Sequence, residues 1–227
     1  MRRSVSSAGR FAQALAKRGL NTKRVSQSTL ILAQQIVAGN STYTFPVLQN
    51  QAPVLPNEIR LSLQDLFEVT TMAVGFSGLM VNPAAPLVAI RRNFFSPLVP
   101  LNVTFLPLYP LYQGSLKCVI NEVTYLLNWD LMRHLAEGTT QVADSTAASG
   151  ATFTEVEGNK TAFFPVTPGI VLNGQGKNDF TIQMPTNQLA PIPATPMTLQ
   201  TGTININIDQ IILVLRGNLA QNASGNN

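Results

Sequence analysis

Hydrophobic and polar positions divide the chain into two unequal parts. Near the amino terminus, "GRFAQALAKRGL" places Phe11, Ala12 and Leu15 at helical spacing beside Lys17 and Arg18, with Gly19 as a stop. This spacing predicts a short amphipathic helix. From about Ser26 the period changes. "STLILAQQIVAGNSTYTFPVLQN" is rich in β-branched and aromatic residues, and its "AGNS" reads as a turn between two extended segments. Further extended segments follow: "EIRLSL", "FEVTTMAVGF", "NVTFLPL", "SLKCVIN", "VTYLLN", "TAFFPV", "NDFTIQMP" and "TININIDQIILVLRG". The last alternates at Ile204, Ile206 and Ile208, then runs apolar from Ile211 to Leu215, as expected of a strand half exposed at one end and buried on both faces at the other. "NWDLMRHLAEG" is the one helix expected in this body, and Asn173-Gly174 reads as a hairpin turn at positive φ. Segments 82–86, 143–152 and 190–196 read as long loops. Short strands with Pro, Gly and Asn punctuation predict an all-β, antiparallel sandwich or barrel rather than a βαβ fold.

Composition narrows this picture. Of 227 residues only 11% are charged while 45% are hydrophobic, and 19 Asn, 15 Gln and 21 Thr stand where charges would be. Surfaces that pack against other protein surfaces favour this exchange, because an unpaired buried charge is costly whereas amides and hydroxyls can pair across a contact. A subunit of an assembly is expected. Charge is also unevenly placed. Arg2, Arg3, Arg10, Lys17, Arg18, Lys23 and Arg24 fall within the first 24 residues, and the first acidic residue is Glu58. The remaining residues hold eight basic against eleven acidic side chains, a net of −3. A basic arm (1–25) on a mildly acidic β-domain (26–220), closed by a polar tail (221–227), predicts a polyanionic partner for the arm alone.

The chemistry available is limited. His134 is the single histidine and Cys118 the single cysteine, so a serine triad has only one possible base and transition metals lack a ligand set. His134 lies four residues after Asp130, where a cap or salt bridge is the expected role. "LNGQGKND" leads into a strand instead of a helix, unlike a phosphate-cradling loop. "EVEGN" lacks the oxygen spacing of a calcium loop. Trp129 reads as core or interface, with a sugar-stacking platform as its rival. No enzyme, cofactor, metal site or small-molecule substrate is expected.

Two functional readings of the arm compete at this point. Arg-rich, Ser-containing, amphipathic and free of acids, residues 1–24 match a mitochondrial transit peptide. Set on a body of opposite net charge, the same residues read as a retained polycationic arm. The run "TYTFPVLQNQ…EIRLSLQDLFEVT…NWDLMRH", with the basic arm, long proline-rich loops and charge-poor body, resembles the single jelly-roll capsid proteins of icosahedral viruses and tailless bacteriophages. The resemblance implies a jelly-roll sandwich that oligomerises into a virion shell beside other virion proteins. The seven basic residues named above would then face nucleic acid or an anionic inner membrane. A glycan- or receptor-binding sandwich, spike-like or lectin-like, is the alternative from another class.

Overall fold

The computed structural model of the chain describes residues 7–17, 24–37, 39–81, 89–94, 109–134, 162–185, 197–201 and 204–223. Helix α1 (Ser7–Lys17) precedes strands β1 (Val25–Gln35), β2 (Thr42–Pro46), β3 (Leu66–Val81) and β4 (Ala89–Phe94). After the single turn α2 (Tyr109–Tyr112) come β5 (Ser115–Ile120), β6 (Val123–Asp130), a 3-10 turn (Leu131–His134), β7 (Phe164–Asn173), β8 (Asn178–Gln183), β9 (Met197–Thr201) and β10 (Ile204–Ala220). The strands form two antiparallel sheets, so the protein is all-β and sandwich-like. One sheet runs β1-β10-β3, with β7 and β4 successively beside β3 and with β9 continuing the β1 side of β10. The other runs β2-β8-β5-β6.

Their pairings are nested. β1 pairs β10, β2 pairs β8, β3 pairs β7 and β5 pairs β6, as if one long hairpin had been rolled up. β3 to β10 and β5 to β8 are the seams that join successive pairs into sheets.

β3 and β10 occupy the middle of the larger sheet, and their near-continuous apolar runs follow from burial on both faces. One face sends Phe67, Val69, Met72, Val74 and Phe76 from β3, and Ile211, Leu213 and Leu215 from β10, into the main core. There they meet Tyr43, Phe45, Leu116, Cys118, Phe180 and Ile182 of the opposing sheet, each worth about 1.5–3 kcal/mol of burial for a large apolar side chain. The other face carries Ala33, Ala73, Ile212 and Val214, packed under Ala162, Leu55 and Phe163. Cys118 is a free thiol in the main core, as its alternating strand predicted, and burial pushes its pKa up to about 12.

Several expectations are corrected. "EIRLSL" is not a strand: Ile59 and Leu61 make single bridges, to Ile31 and Leu48, and the intervening Arg60 is buried while Ile59 is 52% exposed. An ion pair, not the apolar alternation, decides which way this segment faces. Over residues 128–134 the helix expected from "NWDLMRHLAEG" is instead the end of β6 followed by the 3-10 turn, because Trp129 pairs with Leu116 across the sheet, and 135–138 lie outside the described residues. Positive φ falls not at Asn173-Gly174 but at Asn121 (47°) and Glu122 (68°), which make the two-residue β5–β6 turn. Gly174 is needed for close approach, since a Cβ there would lie 2.2 Å from the Ser62 carbonyl oxygen. β4, β9 and α2 were not foreseen. "NVTFLPL", "EVEGN" and the loops at 82–86, 143–152 and 190–196 lie outside the described residues.

Candidate functional site

Helix α1 has eleven residues, about the length at which an isolated helix is marginal in water. It is held by its apolar stripe. Phe11 and Leu15, one turn apart, are 3% and 2% exposed and pack with Leu66, Ala220 and Ala223, flanked by Val25 and Val171. The predicted arm is therefore seated, over these residues, on the end of the larger sheet. Arg10 and Lys17, seven residues and two turns apart, share the outward side and are exposed. Lys17 also lies in the last turn, where a cation favours the helix dipole.

Exposed Arg24 adjoins this seat. Its carbonyl accepts from the Gln221 amide at 3.2 Å, tying the start of β1 to the residues after β10. The Asn222 amide donates to Asp65 at 2.9 Å, so the carboxylate at this end is engaged by backbone. Three of the seven sequence-predicted contact residues, Arg10, Lys17 and Arg24, thus gather at one end of the sandwich. Arg2, Arg3, Arg18 and Lys23 lie outside the described residues.

A second basic feature escaped the sequence. Arg216 of β10 stacks its guanidinium 3.6 Å from the Phe163 ring centroid, beside an open polar groove of about 320 Å³ that includes Ser28, Thr29, Thr70 and Asn218. Asn218, which is buried, donates to Glu68 at 2.7 Å. Arg91 and Asp209 pair through both oxygens at 2.6 and 2.9 Å, fixing β4 to the body.

His134 is fully buried and does not pair with Asp130. The Trp129 indole N–H donates to His134 Nε2 at 2.9 Å, which leaves the ring proton on Nδ1, 2.9 Å from the Ala162 carbonyl oxygen that accepts it. Asp130 instead accepts from the Met132 amide, opening the 3-10 turn. Trp129 is half-buried, with Arg133 above its ring at 5.0 Å. One face of this indole lies under Arg133, and its N–H is taken by His134. The histidine clasps the start of β7 to the end of β6.

Burial lowers the His134 pKa below its usual 6.5, assisted by Arg133 and opposed by the Ala162 hydrogen bond and by Asp130. The unfolded chain then binds the proton more readily, so stability is full above pH 6.5 and is lost as pH falls through that value toward the folded pKa. The loss is at most about 1.4 kcal/mol per pH unit for one proton. Urea midpoints taken between pH 7 and pH 5 should fall for the wild type and fall less for His134→Gln; parallel curves would refute the clasp.

Among the described residues no group of His, Cys, Asp and Glu could hold a metal ion, and no helix is long and apolar enough to cross a membrane. No protein-family model, curated protein or solved structure matches the chain.

Proposed function

We propose that this protein is a virion structural subunit: a jelly-roll sandwich that self-assembles into an icosahedral shell with its cationic amino-terminal segment turned toward packaged nucleic acid. The observation that carries the reading is the nested pairing of β1 with β10, β2 with β8, β3 with β7 and β5 with β6 across two sheets. Eight strands so paired, four to a sheet, are what a jelly roll requires. A fold alone serves many functions, and here the charge distribution narrows the choice.

The seat of α1 favours a retained segment over a disposable leader, because Phe11 and Leu15 complete an apolar cluster of the body. It also favours nucleic acid over lipid. An amphipathic helix enters a bilayer by its apolar face, and that face is already taken up by the sheet. What remains outward is positive charge, which suits phosphate and gains strength from repetition over the inner surface of a shell.

Deleting residues 1–24 is a confounded test, since it strips the cover from Leu66, Ala220 and Ala223. Replacing the seven basic residues with glutamine keeps the seat. Wild type should bind a duplex DNA fragment with a log K against log salt slope as steep as about −6 if all seven contact phosphate. The glutamine variant should lose that binding and keep its circular dichroism. Equal binding by the two proteins, stronger retention on anionic vesicles than on DNA, or an absence of closed particles by electron microscopy of the purified protein would each count against the reading.

A further inference from the structure

The lateral edges of the described sheets are treated unequally. A strand edge offers unpaired N–H and C=O groups to any passing strand, and proteins blunt such edges with proline, charge, shortness, bulges or a cover. β1 is covered. Ile31 exchanges both backbone hydrogen bonds with Ile59, each at 2.9 Å, and the Ala33 amide donates to the Glu58 carboxylate. β7 carries Pro165 and Pro168, β4 carries Arg91 and Arg92, and β2 and β9 are five residues long.

Among the described residues β6 has no cover, and its guards are two bulges and Asp130 at its end. It is the outer strand of its sheet, eight residues long, with no proline and no charge from Val123 to Trp129. Its pairing with β5 is interrupted on both sides of Cys118, so that Leu126 and Trp129 reach the core while Val123, Tyr125 and Leu127 stand 58%, 53% and 64% exposed. Bulges of this kind re-aim side chains.

We infer that β6 is the contact strand between two copies of this chain, laid antiparallel to the same strand of its neighbour about a two-fold axis near Tyr125. The stripe is complementary to itself in that register. Val123 then faces Leu127 of the partner subunit, Tyr125 faces Tyr125 of the partner subunit, and Glu122 falls opposite the amide of Asn128 of the partner subunit. A pairing centred one residue further on, at Leu126, sets Glu122 against Asp130 of the partner subunit, a like-charge opposition that destabilises antiparallel pairs. An isologous contact of this form closes on itself and stops at two copies, leaving other surfaces for further assembly. The inference rests on the shell reading only in that a shell supplies the second copy.

The test uses the full chain carrying Tyr125→Cys, whose only other thiol, Cys118, is buried. Mild oxidation should give a disulfide-linked dimer in large excess over that from Thr42→Cys, an exposed position on β2. Equal yields from the two variants would overturn the contact. Independently, Val123→Lys with Leu127→Lys, both at exposed positions, should convert a sedimenting dimer to monomer with unchanged circular dichroism. A dimer that survives these lysines would also overturn it. Closed particles from a wild type whose Tyr125→Cys form does not cross-link would overturn the β6 contact and leave the shell reading intact. A cross-link without particles would support the contact and sink the shell.

Discussion

Replacing Arg60 with leucine is expected to remove about 3–5 kcal/mol of stability, because it leaves the Glu58 carboxylate buried without its counter-ion. Both side chains are out of water, at 2% and 0% exposure, and their closest atoms are 2.6 Å apart. The guanidinium also donates to the carbonyls of Gln51 and Pro53, and the carboxylate accepts from the amides of Ala33 and Leu55. One ion pair therefore organises the whole crossing from β2 to β3 and caps the free edge of β1. For a domain with about 5–15 kcal/mol in hand, the loss is about a fifth or more of the total. Urea unfolding of Arg60→Leu checks the number, and adding Glu58→Gln should recover part of it, since the double variant buries an amide in place of a charge. A single variant within 1 kcal/mol of wild type would show that the pair is not the organiser. Light scattering of the single variant near its midpoint should also rise, because the β1 edge loses its cover.

Gly217→Ala is expected to be at least as damaging, by more than about 3 kcal/mol. The β3–β10 ladder steps here: Arg216 faces Thr71 and Gly217 faces Val69, leaving Thr70 unmatched, with its hydroxyl donating to the Arg216 carbonyl at 3.1 Å. A Cβ on residue 217 would lie 1.7 Å from the Glu68 carbonyl oxygen and 2.8 Å from its carbon. These are backbone atoms of the neighbouring central strand, so no rotamer relieves the overlap. The two strands must separate at the seam that joins β1–β10 to β3–β7. Gly39→Ala is the control: its Cβ has open space, and its φ of +72° costs about 1–2 kcal/mol for a residue with a side chain. A thermal midpoint for Gly217→Ala no lower than that of Gly39→Ala would contradict the steric account.

What could be read from the chain in advance was whatever depends on neighbours within a few residues. β5, β8 and β10 announce themselves because burial on one or both faces imposes a period of two or an unbroken apolar run. Helix α1 does so through Phe11 and Leu15 and the glycine beyond it. The charge asymmetry, too, needs no folding to be seen. The same local logic failed at Glu58–Leu63, where apolar alternation was outweighed by a buried ion pair whose backbone partners include Ala33, 25 positions away. It failed again at Asn128–His134, where cross-strand pairing to Leu116 outweighed helical spacing.

The candidate interface divides in the same way. Arg10, Lys17 and Arg24 were identifiable as cations from the sequence, but their gathering at one end of the sandwich follows from α1 docking on Leu66 and Ala220, residues far apart in the chain. The exposed stripe of β6 was not identifiable at all. Val123, Tyr125 and Leu127 read locally as ordinary strand residues, and only the strand order and two bulges turn them outward on an edge that no described residue covers. By itself, then, the sequence determined the all-β class, the basic amino-terminal helix and the charge-poor body, because periodicity and composition are local quantities. The tertiary structure alone decided the nesting of β1 with β10 and β2 with β8, the seat of the helix, and which edge is left open. Those outcomes depend on which distant strands meet, and that is settled by the shared core and by a few buried polar contacts rather than by any residue's near neighbours.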